Sequence, residues 1–489
     1  MADMEKGKLE ESINISAQVE LPADHQDYLL KRHGTLELDP MPTNDPNDPL
    51  NWSELKKNSH MILVAVQCML ATFTAAGIVP SYEALAEEYK TSMESVPYFT
   101  STMILIFGIA PLFWLPIMER VGRRPILLLS AIGSMAGNIG GGFCKTYGQQ
   151  MATRVIVALF AAPALAVGSV VVTEMYFAHQ RGTRNGWWTA LLTVGTPCGP
   201  FLMGFVQQHA GTRWVFWVFA FANFVNAMCW LIADETHYLR GNLHGHSIKR
   251  FFGIISHSPA NNEWAIVWHC ATRVTRHRVL IASVAYGVVF TYANVAMVVE
   301  LPQAMGRLFK LDAQTTGLQF VALIIGTFIG EFLSGPLSDF WMKKSIKRRG
   351  NVKVIEDRLW VSYPGFICVL LGLIVWGVML AKADAGHWTV KPLIGAAFAA
   401  GGNQIITTVL VTYSVDDDFT KSVETGLFIN VIRQTLAFIG PFYFPDMFSN
   451  LGFGGAAGLM CGLILIASII PIIVCHLYGV RAARAIKSP

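Results

Sequence analysis

Leu115-Pro116-Ile117-Met118-Glu119-Arg120-Val121-Gly122-Arg123-Arg124-Pro125 joins two apolar runs of this chain. A related stretch, Gly335-Pro336-Leu337-Ser338-Asp339-Phe340-Trp341-Met342-Lys343-Lys344, joins two later ones. Both go from proline through an aliphatic residue and a short gap to an acid and a basic cluster. Their places in the chain show what this means. Windows of the roughly 20 mainly apolar residues that a membrane helix needs fall at about 60–82, 98–118, 125–144, 151–173, 186–208 and 213–233. Six more follow a polar stretch, at about 278–300, 316–338, 359–381, 391–413, 425–448 and 454–478. The two related loops come after the second window and after the eighth, the equivalent position in each set of six. The sequence therefore reads as a duplicated, all-α integral membrane protein: twelve transmembrane helices in two pseudo-symmetric six-helix bundles. Duplicated halves that meet around a midplane site are the layout of secondary transporters.

Composition agrees with burial in lipid. Of 489 residues, 53% are hydrophobic and 14% charged, and the mean hydropathy is +0.43. The expected divisions are a largely disordered arm over 1–55, a first bundle over 56–233, a central loop over 234–277, a second bundle over 278–479 and a tail over 480–489. Within the central loop, Phe251-Phe252-Gly253-Ile254-Ile255 and Trp264-Ala265-Ile266-Val267-Trp268 suit amphipathic pieces along the membrane surface. No cleavable signal peptide is read at the polar, acidic-leaning start.

Basic residues cluster in the loops that share a side with both termini, which the positive-inside rule puts in the cytosol. The segment 343–358 is the densest, with Lys343, Lys344, Lys347, Arg348, Arg349, Lys353 and Arg358. The net charge of +4 then reflects topology and lipid contact, and no nucleic-acid partner is expected. Sequons at Asn14 and Asn51 fall on the cytosolic side, where glycosylation is not expected. The eight cysteines show no metal or redox spacing and read as packing residues.

The loop from Glu119 to Arg124 resembles the signature that members of the major facilitator superfamily carry between spans two and three. Glu119, Arg120, Gly122, Arg123 and Arg124 match it, and Leu115 stands where a small residue is usual. The resemblance extends from about Trp52 to the C-terminus. Asp45-Pro46-Asn47-Asp48-Pro49-Leu50-Asn51-Trp52 is similar to the entry of span one in fungal drug:proton antiporters. Thr412-Tyr413-Ser414-Val415-Asp416, with Glu424, Asn430 and Arg433 after it, is similar too. From helix dipoles and pseudo-symmetry, Glu119 is expected at the start of the eleventh span and Asp339 at the start of the fifth, near Gly186. Plain solvated loop charge is the alternative.

The fifth window reads Gly186-Trp187-Trp188-Thr189-Ala190-Leu191-Leu192-Thr193-Val194-Gly195-Thr196-Pro197-Cys198-Gly199-Pro200-Phe201-Leu202-Met203-Gly204. Gly195 and Gly199 are four apart and stack on one helix face. Bare backbone there lets another helix approach closely, while Pro197 and Pro200 withdraw backbone donors and bend the helix. The partner is expected from the other half. The spacing from Gly186 through Gly195, Gly199 and Pro200 to Gly204 resembles the superfamily's antiporter signature, with Met203 replacing one glycine. That resemblance implies a proton-coupled exporter.

Ionisable residues inside spans are costly and default to functional candidates. Arg154 resembles the superfamily's fourth-span arginine, linked there to proton coupling; its alternative is an interfacial anchor. Glu331 is a candidate proton carrier, because desolvation favours the neutral acid. A permanent pair with a base such as Arg433 is the alternative. Glu174 reads as a surface charge and Asp416-Asp417-Asp418 as a solvated loop. Substrate contacts are expected from Gln67, Tyr286, Phe290, Asn294, Asn403, Gln404, Thr407, Asn430 and Phe438, each of which also suits helix packing. A cavity lined by aromatics and amides with little fixed charge suits amphipathic or weakly cationic organic molecules.

The expected function is proton-coupled export of small organic compounds by a monomer in the plasma membrane. It runs on the proton gradient with no cofactor or metal. A proton-coupled nutrient importer shares every feature of fold and loops, and a ligand-binding sensor without flux is a third reading. Phosphate-binding loops and paired catalytic carboxylates are absent from the sequence, so no enzyme is expected.

Overall fold

A computed structural model describes residues 23–35, 38–238, 264–349, 354–418 and 421–485, and among them it is helical, with no strand. Ten helices are long and apolar enough to cross a membrane. A bent pair, Tyr98–Ile109 and Pro111–Val121, meets at 48° and forms one more span; the break falls where Pro111 has no N–H to donate. The final run, Ser422–Gly479, has 58 residues, far more than one crossing requires. It divides at Gly452, whose φ of 67° lies in the left-handed region that favours glycine. Ten, one bent pair and one division make twelve.

The first span is Glu54–Tyr89, and the bent pair is the second. The third to sixth are Arg123–Phe143, Tyr147–Met175, Arg184–Ala210 and Thr212–Ile232. The seventh to tenth are His277–Phe309, Ala313–Arg348, Ile355–Ala381 and Lys391–Asp417. The eleventh and twelfth lie either side of Gly452. An even count returns the chain to the face where it began, called the terminal face below.

Residues 23–55, expected to be part of a disordered arm, are folded where described. Ala23–His33 is a helix, and Pro49–Asn51 is a turn capped by the Asp48 side chain, which accepts from the Leu50 N–H at 3.0 Å. Arg32 donates to the Asn51 carbonyl at 2.6 Å, and the Asn51 amide donates to the carbonyls of Thr43 and Asp45. Short polar side chains make such local bonds readily. The segment that composition reads as unstructured is therefore a capped turn, with Leu29 and Leu50 fully buried. Residues 1–22, and the central-loop stretch 251–255 expected to lie on the membrane, are outside the described residues. The second expected surface piece is realised as the helix Ala265–Thr272, with Trp264 and Trp268 exposed. All eight cysteines are unpaired.

Small residues set the packing, as expected where lipid provides no hydrophobic drive between helices. A Cβ on Gly372 of the ninth span would stand 2.6 Å from the Gly395 carbonyl of the tenth. The two halves meet along two lines. Spans two and eleven touch at Tyr98 and Phe442, stacked at 4.5 Å. They meet again where the Asn430 amide donates to the Phe107 carbonyl at 2.8 Å. Spans five and eight touch at Gly204 and Gly317 near the face opposite the termini. A continuous core there joins Phe73, Ile78 and Tyr82 of the first span to Tyr292, Val295 and Val299 of the seventh.

Candidate functional site

The basic loops form two matching relays at the terminal face. Arg123 opens the third span and is 2% exposed; it holds Glu119 of the second at 2.7 Å and Glu174 of the fourth at 3.0 Å. In the second half Arg358 of the ninth span lies 3.7 Å from Asp339 of the eighth and 3.1 Å from Asp416 of the tenth. Acid, arginine and acid thus tie spans two, three and four as they tie eight, nine and ten. A buried guanidinium needs compensating charge, and each arginine takes it from its own half. This corrects the expectation that Glu119 and Asp339 reach across to spans eleven and five. A side chain at Gly186 would meet nothing within 4 Å.

Arg120 is exposed. Gly122, at φ 107°, turns the chain between spans two and three. Arg124 donates to the carbonyls of Trp230 and Leu231, which end the sixth span. Glu235 accepts the backbone N–H groups of Arg123 and Arg124 at 3.0 and 3.1 Å, so it caps the third span. Burial pushes its carboxyl above the usual carboxylate range, against the opposing pull of backbone N–H donors from His237 and Arg123. The sequence reading passed over Glu235. Glu174, read as a surface charge, is engaged by Arg123 and lies 3.2 Å from His237. The acids read as solvated at 416–418 are each paired, with Arg358, Arg278 and Arg273 respectively, at 3.1 Å.

The glycines of the fifth span are bare backbone in close contact, but two of them face their own half. A Cβ on Gly195 would collide with the Thr72 hydroxyl and the Met69 carbonyl of the first span. One on Gly199 would lie 2.5 Å from the Phe73 carbonyl. The first span is the tight partner here, which corrects the expectation of a partner from the other half. Gly204 alone of these glycines meets the second half, where its Cβ would stand 2.6 Å from the Ala313 carbonyl. Pro200 belongs to the same contact, its carbonyl 2.9 Å from a Cβ placed on Gly317.

Arg154, Glu331 and Glu300 lie within spans and form no ion pair among the described residues, although Arg307 lies within electrostatic reach of Glu300. Arg154 is 1% exposed, so of its two readings the interfacial anchor is excluded. It donates to the Thr74 carbonyl at 3.3 Å and lies over the Phe216 ring at 5.0 Å, and its Nε and one Nη are unpaired. Glu331 accepts from the Thr189 hydroxyl of the fifth span at 2.7 Å and from the Gln404 amide of the tenth at 2.5 Å. The alternative pair with Arg433 is not formed. The third group, Glu300, was missed. It is 5% exposed, and its Oε1 has no hydrogen-bond partner among the described residues. The apolar window ends at this residue, whereas the helix continues to Phe309 and puts the acid well inside. Tyr82, which donates to or accepts from Thr100 at 2.7 Å, lies within electrostatic reach of both Arg154 and Glu300.

The expected substrate residues fall into separate groups. Tyr286, Phe290 and Asn430 gather around Arg433. The guanidinium is 5.5 Å from the Tyr286 ring centroid and 4.4 Å from that of Phe290, and it donates to the Asn430 side chain at 2.8 Å. The aromatic, amide-lined cluster thus contains a fixed positive charge, contrary to the low-charge expectation. Asn294 sits in a π turn, Thr291–Val295, inside the seventh span; such turns recur at functional sites. Gln404 is committed to Glu331, and Thr407 donates to the Asn403 carbonyl. The Asn403 side-chain oxygen is buried and unpaired. Gln67 lies away from this group, donating to the Leu127 carbonyl and Ser130 of the third span. Phe438 packs on Phe442 in the seam with Tyr98.

The family model described as "Major Facilitator Superfamily" matches residues 63–445. The chain is 26% identical over 433 residues to the efflux pump vrtL of Penicillium aethiopicum, covering 86% of this chain and 85% of that one. It is 24% identical to the probable efflux pump mfs2 of Aspergillus flavus, covering 79% and 93%. It is 25% identical to the MFS-type transporter penM of Penicillium rubens, covering 91% and 89%.

Proposed function

Because the chain belongs to the Major Facilitator Superfamily, whose members move small substrates across membranes, we propose that it is a proton-coupled exporter of small amphipathic organic compounds. The observation that carries this reading is Glu331. Its carboxylate accepts one hydrogen bond from each half, from Thr189 and from Gln404, so gain or loss of a proton there acts on the contact between them. A protonated acid must donate from one oxygen, so whichever of the two bonds, from the Thr189 hydroxyl or the Gln404 amide, falls on that oxygen cannot form as before, while the other oxygen still accepts. Arg154 and Glu300 support the same reading, since a buried charge that forms no ion pair favours a state in which it is newly partnered.

Export as the direction is supported by the names of two relatives, both efflux pumps, and by the glycine spacing of the fifth span. The proton gradient is the energy source. The basic loops support a cytosolic side for both termini, and the protein is read as a monomer of the plasma membrane. The preference for weak cations expected from sequence is not retained, because a guanidinium occupies the aromatic cluster.

The test is flux in liposomes containing the purified protein under an imposed pH gradient, with neutral 2-naphthylacetamide as probe. Movement of the probe against protons is the expected result. Movement together with protons would make the protein an importer, and binding without flux would make it a sensor.

A further inference from the structure

Arg433 lies where the eleventh span meets the second and seventh. Its contacts account for little of what a guanidinium offers. Of its five N–H donors, one goes to the Asn430 side chain, and the Tyr286 and Phe290 rings, themselves 6.1 Å apart and edge-on, lie beside it. No ion pair to it forms among the described residues. Arg154, by comparison, has buried nitrogens with no partner, whereas no nitrogen of Arg433 is both buried and unbonded. Its remaining donors are therefore accessible rather than enclosed by protein. Asn430 is itself fixed by its bond to the Phe107 carbonyl, so the guanidinium is held at one edge and packed against two adjacent rings. The acid that sequence offered as its partner, Glu331, already has both oxygens occupied.

We infer that Arg433, held by Asn430 beside the Tyr286 and Phe290 rings, is a binding site for the carboxylate or similar oxyanion of an aromatic, amphipathic substrate. A planar, permanently charged fork with its edge free matches a carboxylate in two-point geometry. The flanking rings supply apolar area for the rest of the molecule. This inference rests on the exporter reading only in taking the cluster to be part of the substrate path. It names the charge that the cargo carries.

The experiment is equilibrium binding to the full-length protein in lipid nanodiscs, at neutral pH and with no gradient, using a matched probe set: 2-naphthylacetate, 2-naphthylacetamide and 2-naphthylethylammonium. The acetate should bind about tenfold or more tighter than the amide, the ratio of a charge-assisted contact to a neutral one, and the ammonium most weakly. Arg433→Gln should abolish the difference between acetate and amide while leaving amide binding measurable. Arg433→Lys should keep part of the difference, because charge remains but the fork is lost. Equal affinity for acetate and amide in the unaltered protein overturns the inference, and so does a preference that survives in Arg433→Gln. Absence of a gradient separates this result from the proton test. Acetate preference without proton exchange would leave the site standing and remove the coupling; proton exchange without acetate preference would do the reverse.

Discussion

Gly204 of the fifth span and Gly317 of the eighth each occupy the space the other's side chain would need. A Cβ on Gly204 would lie 3.0 Å from the Gly317 Cα, and one on Gly317 would lie 3.1 Å from the Gly204 Cα. The two halves are thus in backbone contact near the face opposite the termini. Any state that opens this face must part this pair.

Gly204→Val and Gly317→Val should therefore disfavour the closed seam. Overpacking costs about 1–3 kcal/mol, which shifts a two-state balance by roughly 5- to 150-fold. Flux should fall by a comparable factor while the protein stays monodisperse in size-exclusion chromatography. Normal flux in both variants would show that the seam tolerates bulk.

Gly199→Leu should behave differently, because that glycine faces the first span of its own half. The clash is present whichever face is open, so the variant should lose heat stability in detergent. A variant as stable as the parent, with altered flux only, would contradict the packing described here.

The relays predict an asymmetry between arginines and acids. Arg123→Ala removes the buried guanidinium that Glu119 and Glu174 share, a loss of up to about 3–5 kcal/mol, and should sharply lower the melting temperature. Asp339→Asn removes a partner that is 69% exposed and should cost well under 1 kcal/mol. Equal destabilisation by the two would show that the contacts differ from those seen.

Some of this was legible in the sequence and some was not, for identifiable reasons. Apolar length gave the spans, and paired loops gave the duplication, because lipid leaves a chain few ways to satisfy its backbone. The spacing of Gly195 and Gly199 revealed a close approach but not to which helix, since a bare helix face fits a neighbour from either half. Glu119 and Asp339 were recognised as charges with partners. Their partners were misassigned because the demand of the buried Arg123 is visible only once it is buried. Glu300 escaped because hydropathy averages stop at a charge, whereas the helix does not. The sequence offers Arg433 as an alternative counter-ion for Glu331, and only side-chain placement shows that the rings and Asn430, not an acid, hold it.

Glu331→Gln and Glu300→Gln separate the proton candidates. Glutamine keeps the shape and removes the titration, so a carrier variant should bind 2-naphthylacetamide normally while its flux loses dependence on the pH gradient. Glu331→Gln is expected to show this behaviour. The measurement is probe flux at a series of imposed gradients, and an unchanged slope in both variants would clear both acids of coupling.

The most direct measurement uses the opening pair as a lock. With Gly204→Cys and Gly317→Cys combined, and their cross-link verified by mass spectrometry, oxidation should stop the flux that the reduced double variant retains, and a reductant should restore it to that level. Undiminished flux through fully cross-linked protein would contradict the central claim that the two halves separate along this line in every transport cycle.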